Sequence, residues 1–572
     1  MNYKEHYLRW LDSSVVDSQT KEELKAITDE REIEDRFYKN LEFGTGGIRG
    51  VMAASSNRMN IYTIAKATQA LAQYLNKHET DPTICIAYDS RNMSAEFAGE
   101  VASVLAGNSV KVYLYESLRP VPMLSFAVRH MNASAGVVIT ASHNPKQYNG
   151  YKVYGPDGAQ IAGEAAEEIL NYMESCDIFE DIKRISLAEA QKLGRLEYMG
   201  EEVDNAYYEK VDALVIRKEL VKEKAKNLSI IYTPIHGSGN IPVRTMLKRQ
   251  GFTNVSIVPE QELPDGNFPT ASYPNPENKE VFNLAIELAQ EVSPDLIFGT
   301  DPDCDRIGVL VKMASGEYTV LTGNQVGVLL TDYILGAKKE MGLLSKKDTV
   351  IKTIVSTTMV NSICEAYGAQ VMDVLTGFKY IGEKIKEFKQ TNSNHFTFGF
   401  EESYGYLAGD FVRDKDAVIS SVLIAEMALY HQCQGKNLYE ALYDLFEEYG
   451  YYKEGQVALE MHGKDGQEKI ARIISGLREN PPKAINNVRI TQIEDFELSQ
   501  LIDVQKGTQQ VIDLPQSNVM KFTLEDGSWV VVRPSGTEPK MKVYVAIKGN
   551  SNEQSNEKLQ VLTDAAVKLI QD

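Results

Sequence analysis

The segment TASHNP at 140–145 carries a hydroxyl that is placed for chemistry. Ser142 directly follows an apolar run, and His143 stands beside it. A hydroxyl at the carboxyl end of a strand projects from the sheet edge, where backbone N–H groups and a cation stabilise charge on it. Taken alone, the segment is better explained as an ordinary Ser/Asn-Pro turn. A Ser–His–Asp hydrolase is also possible, but adjacent Ser and His rarely reach that geometry and no GxSxG elbow is present.

A second segment, DPDCDR at 301–306, suits a hard metal ion. Its aspartates alternate along the chain as Asp301, Asp303 and Asp305. Carboxylates crowded on one tight loop repel each other unless a cation neutralises them, and their oxygens suit magnesium or calcium. An EF-hand loop would need Gly and Glu where this chain has Arg306 and Lys312. A solvated Asp-rich turn is the other alternative, but the apolar run LIFGT leads straight into the loop. We predict a magnesium site that leaves room for a phosphate oxygen.

The segment RPSGTEPK at 533–540 has the composition of a phosphate cradle. Glycine lets backbone N–H groups converge, Ser and Thr add hydroxyl donors, and Arg grips phosphate with two hydrogen bonds. An ordinary hairpin turn has no need of these residue types together. The predicted phosphate ligands are Arg533, Ser535, Gly536, Thr537 and Lys540.

Two further loops carry weaker signals. GFEESYG at 399–405 pairs a carboxylate with a hydroxyl, Glu401 with Ser403, which suits sugar hydroxyls that both donate and accept hydrogen bonds. A helix N-cap by Ser403 is an equally good interpretation. GTGGIRG at 44–50 is rich in glycine and contains Arg49, but most such loops are only turns.

These loops must be positioned by alternating strands and helices. Short apolar runs read as buried strands with helical stretches between them, a rhythm that predicts mostly parallel sheets. Ligands in such sheets collect at the carboxyl ends of the strands, where four of the loops lie. The expected strands are 83–88, 110–115, 136–140, 228–232, 296–299, 349–355 and 396–400. The last unit differs: strands at 529–533 and 541–547 flank a loop and precede an amphipathic helix around 559–570, which predicts an α+β domain with an antiparallel sheet.

The expected organisation is three successive α/β domains with mixed, mostly parallel sheets, followed by this α+β domain. A length of 572 residues suits about three to five domains. The first forty-odd residues, which lack Gly and Pro, predict a helical extension. We expect an N-terminal extension and Ser142-loop domain at 1–206, a metal-loop domain at 207–321, a sugar-loop domain at 322–454 and a phosphate-binding domain at 455–572.

Composition limits the kinds of partner. The formal net charge of −20 argues against a general nucleic-acid or membrane-surface binder. An anionic substrate would need a local cluster of Arg and Lys that works against this field. The N-terminus has no apolar signal region, and no apolar run reaches the roughly 20 residues needed to span a bilayer. Five scattered cysteines without a CxxC pair fit a reducing cytoplasm.

Taken together, the loops resemble those of the α-D-phosphohexomutase superfamily, the phosphoglucomutase and phosphomannomutase enzymes. The correspondence runs in order over nearly the whole chain, through GTGGIRG, TASHNP, NGYKVYG (149–155), TPIHGSG (233–239), DPDCDR, TGFKYIG (376–382), GFEESYGYL and RPSGTEPK. TPIHGSG and SYPNPE (272–277) are similar to the branch that includes the long bacterial α-phosphoglucomutases, phosphoglucomutase-2 and phosphopentomutase.

The resemblance implies four domains around a central cleft and a reaction through a phosphoserine at Ser142. Magnesium would be held by the three aspartates and one oxygen of that phosphate, and glucose 1,6-bisphosphate would be intermediate and activator. Arg49 and His143 would lie by the phosphoserine, Arg306 would follow the metal loop, and Lys152 would transfer a proton at the reacting sugar hydroxyl. Glu401 and Ser403 would bind sugar hydroxyls, Lys379 and Lys415 would position the sugar or its phosphate, and the residues of RPSGTEPK would hold the non-reacting phosphate.

Two departures from the family pattern bear on this hypothesis. Pro302 and Cys304 stand where many relatives have Gly, but the carboxylates remain. Gly405 stands where the phosphomannomutase-like branch has His, which favours glucose over mannose. The expected activity is therefore interconversion of glucose 1-phosphate and glucose 6-phosphate by a monomer or weak homo-oligomer. A phosphopentomutase or phosphomannomutase with the same mechanism is the alternative, and a metal-dependent sugar phosphatase is a remoter one. A non-catalytic sugar-phosphate sensor would be expected to have lost Ser142 or one of the metal-loop aspartates.

Overall fold

The computed structural model describes residues 2–41, 44, 46–461, 463–534 and 540–571. The chain divides into two compact units. The first contains Met1–Thr322, Ile381–Gly399 and Ser403–Asn437. The second contains Gly323–Tyr380, Phe400–Glu402 and Leu438–Asp572. No helix in the described ranges has a stretch long and apolar enough to cross a membrane.

The predicted N-terminal helices are present as α1 (Tyr3–Asp12), α2 (Ser18–Lys25) and α3 (Glu30–Phe37). Each begins at a residue whose side chain accepts a hydrogen bond from the first turn: Asn2, Asp17 and Asp29. Their apolar faces pack around the buried rings of Trp10 and Phe37. The helices are thereby fixed to the rest of the first unit through Tyr62. The centroid of its ring lies 5.3 Å from that of Trp10, in an edge-to-face arrangement.

The first sheet brings the Ser142 loop to the carboxyl edge of a buried strand. Four strands run parallel in the order β4-β2-β3-β6; β5 pairs antiparallel with β4, and β1 pairs antiparallel with β5. All residues of β4 are buried, and the chain stays buried through Thr140 and Ser142. The elements are β1 (Gly47–Val51), α4 (Ile61–His78), β2 (Thr83–Tyr88), α5 (Ser94–Gly107), β3 (Lys111–Tyr115), α6 (Val121–His130), β4 (Ala135–Ile139), β5 (Tyr148–Tyr154), α7 (Gly163–Ser175), α8 (Leu187–Lys192), β6 (Leu196–Met199), α9 (Glu201–Asp212) and α10 (Lys218–Lys224).

The second sheet carries the metal loop on a hairpin. Its order is β11-β10-β9-β7-β8, with β9, β7 and β8 parallel and β10 and β11 antiparallel. Thr300 pairs with Ile307, so residues 301–306 close the hairpin between two buried strands. The elements are β7 (Ile230–Thr233), α11 (Asn240–Arg249), β8 (Val255–Ile257), α12 (Pro259–Glu262), α13 (Asn283–Val292), β9 (Leu296–Thr300), β10 (Ile307–Lys312) and β11 (Tyr318–Leu321), with 3₁₀ turns at Ala225–Asn227 and Lys279–Phe282.

A third run of strands and helices carries the sugar loop. The elements are α14 (Gly323–Glu340), β12 (Asp348–Thr353), α15 (Met359–Tyr367), β13 (Gln370–Val374), α16 (Phe378–Thr391), β14 (His395–Glu401), β15 (Gly405–Ala408), α17 (Ala417–Gln432) and α18 (Leu438–Tyr449). In the second unit β12 and β13 pair in parallel. Buried β12 presents Thr353 at its carboxyl end, so this run continues the predicted α/β rhythm.

The C-terminal sheet is antiparallel, as predicted. Its strands lie in the order β16-β23-β22-β21-β18-β19-β20, and β17 pairs with β18. The elements are β16 (Tyr451–Glu460), α19 (Gly463–Glu479), β17 (Ala484–Ile485), β18 (Val488–Asp495), β19 (Gln500–Asp503), β20 (Thr508–Val511), β21 (Met520–Leu524), β22 (Trp529–Pro534), β23 (Lys540–Gly549) and α20 (Asn552–Gln571). The predicted classes of fold, α/β followed by α+β, are therefore confirmed.

Candidate active site

The Ser142 loop is held from below by a buried arginine. Ser142 has a left-handed φ of 52°, and its N–H donates to Thr140 Oγ1 at 2.8 Å. The guanidinium of Arg91 donates to the carbonyl oxygens of Ser142, Asn144 and, at 3.0 Å, Pro145. Asp89, at the end of β2, lies 3.3 Å from Arg91 Nε and balances its charge. The loop conformation is therefore fixed by buried hydrogen bonds as well as by its own sequence.

The metal loop folds around Asp301. Asp301 Oδ1 accepts hydrogen bonds from the N–H groups of Asp305 at 3.1 Å and Arg306 at 3.0 Å. Cys304 takes a left-handed φ of 52°, which turns the chain tightly enough to bring alternate carboxylates together. One ligand atom from each of the three aspartates lies within 4.8 Å of the others, and all three residues are buried.

The two loops meet inside the first unit. Ser142 Oγ donates to Asp301 Oδ2 at 3.0 Å. Thr140 Oγ1 donates to Asp303 Oδ2 at 3.1 Å, so the residue that shapes the serine loop also touches the metal loop. His143 Nδ1 lies 3.2 Å from Ser142 Oγ. The structure thus places the predicted phosphate carrier against the predicted metal ligands.

Two lysines lie against the aspartates from other elements. Lys152, on β5, donates to Asp303 Oδ2 at 3.0 Å and lies 3.7 Å from Asp305 Oδ2. Lys415, just before α17, lies 3.1 Å from Asp305 Oδ2 and 3.0 Å from Asp414 Oδ1. Both are local cations of the kind that a chain of net charge −20 needs beside an anionic substrate.

Burial and mutual repulsion dominate the electrostatics of the triad. Burial, and then the neighbouring Asp303 and Asp305, raises the pKa of Asp301 well above its usual range. Burial and Asp303 also raise the pKa of Asp305, although Lys415 and Lys152 oppose the shift. Burial alone would raise the pKa of Asp303, but Lys152, the hydrogen bond with Asp301 and the charge of Lys415 together outweigh burial and hold the pKa below its usual value. A divalent cation would relieve this repulsion.

The donor set fits a hard cation. Asp303 Oδ1 and Asp305 Oδ1 are buried and accept no hydrogen bond, whereas Asp305 Oδ2 is met by Lys415 Nζ at 3.1 Å. Buried carboxylate oxygens without a donor are costly unless a cation meets them. All the clustered ligands are carboxylates, which magnesium and calcium prefer. The aspartate triad could therefore hold a divalent metal ion.

The remaining predicted residues of this loop cluster lie at its rim. Exposed Arg49, on β1, donates to Asn144 Oδ1 at 3.5 Å. Arg306 donates to Glu277 Oε1 at 2.9 Å, and Glu277 belongs to the SYPNPE segment. Loss of solvent around the ring, and then the charges of Arg306 and Arg49, hold the pKa of His143 well below its usual value. The imidazole is accordingly neutral near pH 7.

The predicted sugar ligands divide between the units. In the second unit, Glu401 Oε1 accepts a hydrogen bond from the N–H of Gly377 at 2.8 Å. Gly377 lies two residues before Lys379 in the sequence. Ser403 lies in the first unit, in the turn between β14 and β15. The alternative reading of Ser403 as a helix N-cap is wrong, because the next helix is α17 and its cap is Asp416, which accepts the N–H of Ile419 at 2.9 Å.

The predicted phosphate cradle is partly described. Arg533 is the last residue but one of β22 and lies opposite Lys542, and its side chain hydrogen-bonds to buried Tyr544 in the same sheet. Lys540 begins β23 and lies 3.0 Å from Glu460. Ser535, Gly536 and Thr537 lie outside the described residues.

Three residues of this neighbourhood were missed in the sequence. Arg91 follows β2 in an unremarkable Asp-Ser-Arg turn, and Thr140 was read only as part of the serine motif. The hydroxyl of Tyr154 donates a hydrogen bond to Asp414 Oδ2 at 2.8 Å, and Asp414 also faces Lys415. Its only signal was a place in the charged run RDKD.

Comparison with known proteins agrees with this arrangement. Four phosphoglucomutase/phosphomannomutase family models match in order: alpha/beta/alpha domain I at 40–178, domain II at 205–314, domain III at 322–449 and the C-terminal domain at 486–557. A phosphoglucomutase of Staphylococcus aureus (strain MRSA252) is 36% identical over 90% of this chain and 92% of its own length. One from Staphylococcus haemolyticus is 35% identical over 96% of this chain and 97% of its own. The open form of parafusin, a phosphoglucomutase of Paramecium, shares the fold with a TM-score of 0.68 at 15% identity, covering 93% of this chain and 96% of that one.

Proposed function

The chain belongs to the phosphoglucomutase/phosphomannomutase family, and on that premise we propose that it interconverts glucose 1-phosphate and glucose 6-phosphate through a phosphorylated Ser142. It is an enzyme of the intramolecular phosphotransferase class, as its curated relatives are. The observation that carries the proposal is the 3.0 Å hydrogen bond from Ser142 Oγ to Asp301 in a buried, metal-competent cluster.

Ser142 would carry the phosphoryl group. The free hydroxyl of a bound sugar monophosphate attacks phosphorus, the bond from phosphorus to Ser142 Oγ breaks, and a sugar bisphosphate forms. That bisphosphate, glucose 1,6-bisphosphate, turns end over end and returns its other phosphoryl group to Ser142, which regenerates the starting enzyme. We assign proton transfer at the reacting hydroxyl to Lys152, whose Nζ already lies 3.0 Å from Asp303.

The three aspartates would hold Mg²⁺ together with one oxygen of the phosphoserine. When bound, the ion supplies charge neutralisation at the transferring group. Around it Arg49 and Arg306 would stabilise the phosphoryl oxygens, while neutral His143 beside Ser142 Oγ would bond without adding charge. Lys415 would share in positioning the sugar near Asp305.

We assign the other end of the substrate to the remaining loops. Glu401 and Ser403 would bind sugar hydroxyls with Lys379 nearby, and Arg533, Ser535, Gly536, Thr537 and Lys540 would grip the phosphate that does not react. The proposed domains keep the boundaries 1–206, 207–321, 322–454 and 455–572. The proposed reaction requires one sugar to bind in two orientations, which one fixed phosphate grip and paired sugar ligands would allow. We place the enzyme in the cytoplasm, as a monomer or weak homo-oligomer without nucleic-acid or membrane partners.

Coupled turnover tests the choice of sugar. Glucose 1-phosphate, mannose 1-phosphate and deoxyribose 1-phosphate are each supplied with a bisphosphate activator, and inorganic phosphate is measured in parallel. We expect the highest kcat/KM for glucose 1-phosphate and no stoichiometric phosphate release. A preference for mannose or the pentose would replace the substrate and keep the mechanism. Stoichiometric release of phosphate would identify a phosphatase instead.

A further inference from the structure

Gly405 lies directly beneath the side chain of Lys415. A Cβ atom built at Gly405 would lie 2.1 Å from Lys415 Cδ and 2.6 Å from Cγ, both far inside van der Waals contact. It would lie 3.4 Å from Lys415 Cβ, which is an ordinary contact. Any side chain at position 405 therefore collides with the stem of Lys415 and leaves its Cβ untouched.

The backbones on both sides of this contact are anchored. Tyr404 accepts the N–H of Ile307 at 3.1 Å, which ties the residue before Gly405 to the end of the metal hairpin. Tyr406 accepts the N–H of Asp416 at 2.9 Å, which ties the residue after Gly405 to the residue after Lys415. Because these hydrogen bonds hold both backbone segments in place, the collision would be relieved mainly by rotation of the Lys415 side chain.

The conformation of the Lys415 side chain determines which carboxylates its ammonium group contacts. Its side chain is only 12% exposed, and Nζ lies between Asp305 Oδ2 at 3.1 Å and Asp414 Oδ1 at 3.0 Å. Asp414 is itself fixed by the hydroxyl of buried Tyr154 at 2.8 Å. Rotation away from position 405 would remove the ammonium group from both carboxylates and leave Asp305 with Lys152 at 3.7 Å as its nearest lysine.

We infer that Gly405 is a positioning residue, and that its missing side chain is what lets Lys415 lie across the sheet edge and pair with Asp305 of the metal loop. The inference rests on the proposed function for its catalytic consequence. Gly405 would then affect the reaction through Lys415 instead of by contact with the sugar. A lysine at position 415 can point toward the metal loop only if position 405 carries no side chain.

A double-mutant cycle on the full-length protein tests this inference. The variants are Gly405→Ala, Lys415→Ala and the double variant, each measured by thermal unfolding and by kcat/KM on glucose 1-phosphate. We expect Gly405→Ala to lower the unfolding midpoint in the otherwise unchanged protein. In the Lys415→Ala background, we expect the same substitution to leave the unfolding midpoint unchanged. We expect each single variant to lose about ten- to a hundredfold in kcat/KM, as for a lost charge-assisted hydrogen bond, and the double variant to lose no more.

A glycine elsewhere supplies the control. Gly455, within strand β16, would place a Cβ no closer than 3.5 Å to Leu559, so Gly455→Ala should leave stability and activity unchanged. An equal loss of stability from Gly405→Ala in both backgrounds, or additive losses of activity, would overturn the inference. The stability cycle needs no substrate. If the protein had no mutase activity but kept the coupling, the proposed function would fail while the steric link between the two residues stood.

Discussion

At the scale of residues, the site is a balance between buried carboxylates and the cations that face them. Asp301, Asp303 and Asp305 crowd together, and the lysines lie against only two of them. Asp303 Oδ1 and Asp305 Oδ1 are buried and accept no hydrogen bond, so a divalent cation bound there would complete the balance. Ser142 Oγ, bonded to Asp301, is the group on which a metal ion placed there would act.

Removal of one metal ligand should therefore abolish most turnover. Asp303→Asn keeps the size of the side chain but removes a charge, and we expect a loss of about a hundredfold or more in kcat, because metal stabilisation of the transferring group is worth several kcal/mol. EDTA should inactivate the unchanged protein, and Mg²⁺ should restore it. Steady-state kinetics with controlled free Mg²⁺ measure both effects.

Asp410→Asn is the matched control, since its side chain is 55% exposed and pairs with the exposed Lys389. We expect it to behave as the unchanged protein. Full activity of Asp303→Asn in the presence of chelator would rule out the metal assignment.

At the scale of elements, strands end where chemistry is needed and buried side chains shape the loops that follow. β4 and β9 are fully buried, and each delivers its loop to the carboxyl edge of its sheet. The Ser142 loop also depends on hydrogen bonds from a buried side chain. Its carbonyl groups point toward Arg91, which is 3% exposed and donates to several of them.

Arg91→Met should destabilise the first unit and slow the reaction. The change leaves the Asp89 carboxylate buried without its counter-charge and the loop carbonyls without their donor, which we expect to cost about 3–5 kcal/mol in the free energy of unfolding. Because Ser142 would lose its fixed position, kcat should fall by about a hundredfold. Denaturant unfolding and steady-state kinetics measure the two effects. Exposed Arg31, on α3, serves as the control, and Arg31→Met should change neither. Equal behaviour of the two variants would show that Arg91 does not hold the loop.

The sequence predicted the loops better than it predicted their supports. Buried strands such as β2 and β9 could be found because apolar runs of strand length bounded by polar turns are a local signal. The support from Arg91 could not, since its partners lie more than fifty residues away and are backbone carbonyls with no residue type to recognise. The clearance between Gly405 and Lys415 is likewise set by packing. The N-cap reading of Ser403 failed because the chain continues into β15 instead of a helix.

At the scale of the whole molecule, one core joins parts of two expected domains. In the second unit, Ile354, Val355 and Leu375 of the sugar-loop region pack with Trp529 and Tyr544 of the C-terminal sheet. Glu402 belongs to the same neighbourhood: it accepts the hydroxyl hydrogen of Thr353 at 3.0 Å, and loss of solvent and the adjacent Glu401 raise its pKa to about 7. Glu402, from the part of the sugar loop that belongs to the second unit, and the strand that carries Arg533 are therefore linked through buried contacts within that unit.

The net charge of −20 gives the molecule a field that opposes anionic ligands. In the first unit, Lys152 and Lys415 pair with aspartates of the metal loop, and Arg306 pairs with Glu277. Such a distribution favours a small phosphate ester that enters a prepared cluster over an extended polyanion. It also fits a mechanism in which the enzyme itself carries phosphate, since the local cations must balance that charge through the whole cycle.

The most direct test is to find the phosphoryl group. Intact-mass and peptide mass spectrometry of the full-length protein, incubated with glucose 1,6-bisphosphate, should show one phosphoryl group located on Ser142, and excess glucose 1-phosphate should accept that group from Ser142 and become glucose 1,6-bisphosphate. Ser142→Ala should lack the modification and lose nearly all turnover while still binding sugar phosphate, whereas the exposed Ser175→Ala should retain both modification and activity. Phosphate on another residue, or full turnover by Ser142→Ala, would contradict the account.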